Sequence, residues 1–246
     1  MLPTRRIVLA LVLCAFLAPA AHAQINLAWN NCITQANAAE NKQYACDGSQ
    51  NGIPFKLVFS FLPPVDLPQF SYVEATIDIG SVSAMPLPDW WRLGVGECRD
   101  DNLRVPQSLT GIGTGTTGVC RNPWFGAQTG GGYLYESNHQ PSVARLLVVI
   151  GRDTPAALTA GQQYVGGVIG LDTFRDVADG VDPLCTGCCQ SMLIVLQEVK
   201  IYQELSNDIL SLTAPATRQH VWWQQVSNCP VPARRTSWGS IKTTYR

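Results

Sequence analysis

Charge is scarce in this chain. Charged side chains make up 14% of its residues, against about 25% in ordinary soluble domains. Seventeen Lys and Arg stand against eighteen Asp and Glu. Without a basic excess there is no surface for the phosphate contacts that nucleic-acid binding depends on. Histidine is rarer still. His22 falls in the removable leader described below, and His139 and His220 are not at zinc-finger spacing, so a zinc site would lack ligands. Beyond residue 23 no apolar run approaches the ~18 residues of a membrane-spanning helix; 146–151 and 192–196 are strand-sized. The Gly-x-Ser-x-Gly elbow of a serine hydrolase is missing. Helical apolar periodicity is almost absent, which turns attention to strands.

Cysteine, by contrast, is abundant. Residues 1–23 read as a signal peptide: a basic pair, Arg5-Arg6, an apolar stretch over 7–17, and the small-x-small ending Ala21-His22-Ala23. Leu13 before Cys14 is not the small residue of a lipoprotein signal. Cleavage would leave eight of the nine cysteines and 15 basic against 18 acidic side chains. Export leads to an oxidising compartment, so the protein is expected to be secreted, extracellular or held at the cell surface. There Cys32, Cys46, Cys98, Cys120, Cys185, Cys188, Cys189 and Cys229 read as a disulfide framework. Proximity pairs Cys32 with Cys46 and Cys98 with Cys120, each bracketing a polar or Gly-rich stretch. One of the Cys185–Cys188–Cys189 group would reach Cys229, leaving a local bridge between Cys185 and Cys188 or Cys189. Cys185-x-x-Cys188 also has thioredoxin-like spacing, but its flanks read as loop and strand.

Apolar and aromatic residues over 53–61, stopped by Pro63-Pro64, predict a buried strand. Over 72–79, Val73, Ala75, Ile77 and Ile79 alternate with Glu74, Thr76 and Asp78, the mark of a strand with one wet face. Further strands are predicted at 92–95, 143–150, 163–169 and 191–202, with a hairpin of 209–212 and 220–226 around Pro215. The runs 111–118 and Gly130-Gly131-Gly132 read as turns. The expected architecture is all-β, an antiparallel sandwich, Ig-like or jelly-roll-like, stapled by disulfides. It would occupy residues 24–228 and be followed by a Pro-rich link and basic tail over 229–246.

The site candidates are aromatic and acidic. Trp90-Trp91 and Trp222-Trp223 would place one ring of each doublet inward and one outward, since strand neighbours point to opposite faces. An exposed indole suits stacking on a sugar ring or a partner chain, as does Trp124-Phe125 near Tyr133 and Tyr135. Buried rings closing the ends of the sandwich are the plainer reading. Asp172, Asp176, Asp179 and Asp182 near Gly180 are candidates for an extracellular Ca²⁺ loop of non-EF-hand spacing, set against a merely solvated loop. Glu97, Asp100 and Asp101 form a second acidic group. Gly113-x-Gly115-x-x-Gly118 matches a dinucleotide fingerprint by composition alone, with neither the strand before it nor the helix after it.

The segments Asn26-Leu-Ala-Trp29-Asn-Asn-Cys32, Pro88-Asp-Trp-Trp-Arg92, Cys185-Thr-Gly-Cys-Cys189 and Ser237-Trp-Gly-Ser-Ile-Lys-Thr-Thr-Tyr-Arg246 resemble secreted β-sandwich proteins of environmental bacteria. The resemblance implies export and a shared β domain, and brings no catalytic residue with it. The expected function is a non-enzymatic binding or assembly protein, in its sharper form glycan-binding through the four tryptophans, without a cofactor apart from a Ca²⁺ option. The rival readings are a secreted hydrolase of polysaccharide or peptide using carboxylates near Glu97 or Asp172, and a structural subunit of a surface layer or filament. The oligomeric state is not legible.

Overall fold

A computed structural model describes residues 24–33, 35–44, 46, 55–82, 86–106, 109–110, 112, 120–173, 175, 184–204, 208–213 and 218–225. Their strands are β1 (Gln24–Trp29), β2 (Asn41–Lys42), β3 (Phe55–Leu62), β4 (Leu67–Ser81), β5 (Leu103–Arg104), β6 (Cys120–Arg121), β7 (Thr129–Gln140), β8 (Val143–Leu158), β9 (Gln163–Leu171), β10 (Met192–Gln203), β11 (Ile209–Thr213) and β12 (His220–Trp223). Sheet A runs β1-β3-β9-β5, with β6 also on β9. Sheet B runs β2-β12-β10-β4-β8-β7, with β11 also on β10. Neighbours are antiparallel except β6–β9 and β12–β2. The protein is an all-β sandwich.

The alternation read from 72–79 is what β4 uses. Val73, Ala75, Ile77 and Ile79 are buried against sheet A, while Glu74, Thr76 and Asp78 stay half-exposed. In contrast, β9 is buried at every position. Its inner face, with Tyr164, Ile169 and Leu171, belongs to the main core. Val165 and Val168 face the other way and pack with Val58, Ile112 and the Cys32–Cys120 bridge. A strand covered on both faces has no reason to alternate. Phe59, fully buried, lies over Gly166 and Gly167; a Cβ at Gly167 would come within 2.3 Å of Ile150 Cδ1 and 2.7 Å of Phe59 Cε1. Burying a side chain like Phe59 is worth about 1.5–3 kcal/mol.

Four expectations are corrected. Residues 92–95 do not form a strand. They follow a 3-10 turn, Asp89–Trp91, and their backbone bonds are those of turns: Arg92 N–H donates to Asp89 O and Arg99 N–H to Arg92 O, while Trp90 N–H reaches Thr186 O at 2.8 Å. The glycine triplet lies within β7, not in a turn. β11 and β12 do not form a hairpin with each other; both line the same edge of β10, at 198–202 and 192–195 respectively. The bridges are Cys32–Cys120, Cys46–Cys188 and Cys98–Cys185, with sequence separations of 88, 142 and 87. Cys189 is disulfide-bonded as well. Short-range pairing fails because the sandwich sets segments far apart in sequence side by side. Cys229, the expected signal peptide over 1–23 and the tail over 229–246 lie outside the described residues.

Candidate binding face

The outward face of sheet B is set by register. Glu74 of β4 stands beside Lys200 of β10 and Val149 of β8, and Val149 beside Gly132 of β7. The next row toward one end of the sheet reads Ile209, Tyr202, Tyr72, Gly151, Gly130 across β11, β10, β4, β8 and β7. Tyr72 and Tyr202 stack with centroids 4.1 Å apart and rings 11° from parallel. Side chains stand roughly perpendicular to a sheet, so Tyr202 covers one face of Tyr72 and the other looks along the row toward β8. The residues there, Gly151 and Gly130, have no side chains. A Cβ at Gly151 would lie 3.3 Å from Tyr72 Cβ, directly beside the ring's stem, and a Cβ at Gly130 would meet nothing within 4 Å.

An aromatic wall therefore rises beside a glycine floor. Between Tyr72↔Gly151 and Phe70↔Ala156 the β8 strand carries extra residues, and this bulge closes another side. Asp153 fixes it: its Oδ1 accepts from Gln128 N–H at 3.2 Å and Thr154 Oγ1 at 2.9 Å, while its own N–H donates to Gln128 O. Arg152 donates to the carbonyls of Thr154 and Pro123. The result is an open hollow of about 660 Å³ bordered by Tyr72, Gln128, Val149, Arg152 and Asp153. Tyr72 is 37% exposed and Val149 41%.

Charge on this face lies in two rows, Lys200–Glu74 across β10 and β4, and Asp78–Arg145–Glu136 across β4, β8 and β7. Lys200 Nζ lies 3.2 Å from Glu74, which raises the lysine's pKa through their hydrogen bond. Partial burial and Glu74 push the Tyr202 phenol up, so it stays neutral. Arg145 grips Asp78 with two bonds of 2.8 and 3.0 Å. Toward β8 and β7 the face carries Val149 and Leu134, the latter 54% exposed. Chemically, the hollow offers one ring face for stacking, a flat floor and a polar rim. Among the described residues Asp153 is the only carboxylate bordering it, whereas glycoside hydrolysis uses two.

The tryptophan doublets are elsewhere. Trp90, Trp91 and Trp223 have no exposed surface, and Trp222 alone of the four is half-exposed. This corrects the outward role expected within the first doublet: Trp90 and Trp91 sit in the 3-10 turn, where strand alternation does not apply, and both point inward. Trp90 stacks on Trp223 at 4.7 Å, Trp91 meets both rings edge-on, and Trp29 and Phe55 complete the group between the sheets. Trp223 Nε1 donates to Cys188 O at 2.7 Å. In the second doublet, on β12, one ring does turn in and the other out. Phe125, 75% exposed, and Tyr133, 40%, reach solvent, while Trp124 and Tyr135 are buried.

The acidic candidates are bound into the fold. Asp172 is buried and lies 2.6 Å from Arg104 Nε. Asp176, Asp179 and Asp182 fall outside the described residues, among which no group of three His, Cys, Asp or Glu could hold a metal. Glu97 accepts from Gly94 N–H at 2.8 Å and from Ser137, and faces Arg92 at 3.5 Å. Asp100 accepts from Gly96 N–H at 2.7 Å. Arg99 is fully buried, its guanidinium 3.6 Å above the Trp90 ring and bonded to Trp90 O. No helix among the described residues is long and apolar enough to cross a membrane. No family model matches the chain, and no curated protein or solved structure matches it.

Proposed function

We propose that this is an exported, non-enzymatic binding protein that engages saccharide on a surface or polymer outside the cell, through the hollow beside Tyr72. One observation carries the reading: a tyrosine ring backed by a second tyrosine, its other face looking over glycines that leave room for a ring. The apolar face of a pyranose would lie against Tyr72, and its hydroxyls would meet Gln128, Arg152 and Asp153 at the rim. Ligand sites combine apolar contact with a few placed polar groups in this way, and small β-barrels take oligosaccharides on a sheet face. Three disulfides fit an oxidising, extracellular setting.

The test is calorimetric titration of the oxidised protein with a panel of glycans and cell-wall polymers, repeated with Tyr72→Ala and Trp222→Ala. Saturable binding lost in Tyr72→Ala and kept in Trp222→Ala is expected. Binding that survives Tyr72→Ala, or a panel without a ligand, removes the reading.

A further inference from the structure

Sheet B ends differently on its two sides. Toward β12 the edge is broken into short pieces, with the two-residue β2 and the five-residue β11 covering parts of β12 and β10. Toward β7 no strand among the described residues covers it. Thr129–Glu136 pairs in unbroken register with β8, and only beyond Glu136 does the register shift. Eight residues at ~3.4 Å each expose about 27 Å of edge. On the side away from β8 no backbone group of this stretch has a partner among the described residues. Natural sheets blunt such edges with lysine, proline or a covering segment, because a bare edge recruits other strands. This one has no lysine and no proline, and it exposes Leu134 on one face and Tyr133 on the other.

The neighbourhood of the edge is acidic. Asp100 and Asp101 lie near enough to Tyr133 to add to the upward shift that burial gives its phenol. Glu136 stands in the strand, 47% exposed and 3.5 Å from His139. The complementary chemistry lies in the chain itself. Residues 237–246, Ser-Trp-Gly-Ser-Ile-Lys-Thr-Thr-Tyr-Arg, contain Lys242 and Arg246, no acidic residue, and an alternation of Ile241, Thr243 and Tyr245 with Lys242, Thr244 and Arg246. Ile, Thr and Tyr favour strands. They lie outside the described residues, but the link can reach. From Gln225, next to β12, twelve residues to Ser237 span up to ~40 Å, and crossing from β12 to β7 takes four strand spacings, about 19 Å.

We propose that the open edge of β7 is a strand-addition site for this chain's own segment 237–246, which adds one further strand to sheet B. In one register Ile241, Thr243 and Tyr245 lie beside Leu134 on the outer face, and Lys242 and Arg246 turn toward Asp100 and Asp101. Main-chain bonds supply the affinity and the alternate side chains the specificity, as in other strand additions. Tethering gives the segment an effective concentration near millimolar, so the intramolecular pairing is favoured over a second copy.

Hydrogen exchange of the full oxidised chain tests this. Every second amide of Thr129–Glu136 points away from β8. In the native chain these exchange slowly, and in the full-length variant Ile241→Pro/Thr243→Pro they exchange at least ~10-fold faster while β4 and β9 are unchanged, as expected when only local protection is lost. Equal exchange at β7 in both proteins overturns the proposal. Protection that fades on dilution overturns the intramolecular occupant and assigns the edge to a second copy. Leu134→Lys, on the acceptor side, gives the same acceleration if the register is right.

Discussion

Replacing Trp223 by alanine and Tyr72 by alanine separates the ring that holds the fold from the ring offered to a ligand. Trp223 has no exposed surface and touches Trp29, Tyr44, Phe55, Trp90 and Trp91. A tryptophan buries roughly 200 Å², worth ~5 kcal/mol at about 25 cal/mol per Å². Alanine retains part of that, and the walls of the cavity relax only in part, so a cost of about 3–5 kcal/mol is expected. The bond to Cys188 O is lost as well. For a domain of this size, that lowers Tm by roughly 8–15 °C. Tyr72 is 37% exposed and its principal ring contact is Tyr202, so its loss is expected to cost only about 0.5–1.5 kcal/mol. Urea unfolding with disulfides intact, followed by far-UV circular dichroism, measures both. If Trp223→Ala costs less than Tyr72→Ala, the division between core and site drawn from burial is wrong.

Two further outcomes follow from local geometry. A Cβ at Gly131 would stand 2.5 Å from Val149 O, a backbone atom that cannot rotate away, while Gly130 and Gly132 open onto space. Gly131→Ala is therefore expected to cost ~1–3 kcal/mol as an overpacking strain, and Gly130→Ala and Gly132→Ala to fall within about 0.5 kcal/mol of native in the same urea assay. Tyr135 is buried and donates to Trp91 O; burial foremost, then Glu97, raises its pKa, with Arg99 opposing. A raised folded pKa means its stabilisation is full below the unfolded value near 10 and is lost as pH rises past it. Tyr135→Phe should thus lower stability by about 1–2 kcal/mol at pH 7, through the carbonyl left without its donor. It should also shrink the further loss between pH ~9.5 and ~11; an unchanged alkaline slope in urea midpoints would rule this out.

Strand positions were readable where burial falls on one face or where apolar residues run together. Val73 to Ile79 announces β4 through alternation, and Phe55 to Phe61 announces β3 through density. What failed depends on information that periodicity does not hold. Gly130-Gly131-Gly132 has turn composition, yet Gly131 is small because β7 passes close to Val149 O. Residues 209–212 and 220–226 both read as strands, but no local signal says that they would share the edge of β10 and not pair together. The disulfides join segments 87–142 residues apart, a separation fixed by sheet order. For the same reason the tryptophan doublets looked like the site: adjacent large rings stand out in a sequence, while Tyr72, Tyr202, Gly151 and Gly130 become neighbours only through the register of four strands.

The asymmetry of the two sheets explains why the open chemistry gathers where it does. The outer face of sheet A is occupied, since Ile112, Val58 and the Cys32–Cys120 bridge pack over β9. Between the sheets, Trp29, Trp90, Trp91 and Trp223 fill the interior and leave few apolar rings to spare. The outer face of sheet B is then the broad strand surface that nothing described covers, and its ion pairs, Lys200–Glu74 and Arg145–Asp78, join β10 to β4 and β4 to β8. Away from the Asp78–Arg145–Glu136 row, the outer face of β8 and β7 carries Val149, Leu134 and glycines, on the side of the sheet where no described residue pairs with the backbone edge. Glycine weakens a strand and leaves backbone exposed, so three of them in one outer-face patch, Gly130, Gly132 and Gly151, would be a poor choice for stability alone. They are a sensible choice if a flat ring has to come down beside Tyr72 and a strand has to approach β7 without meeting side chains.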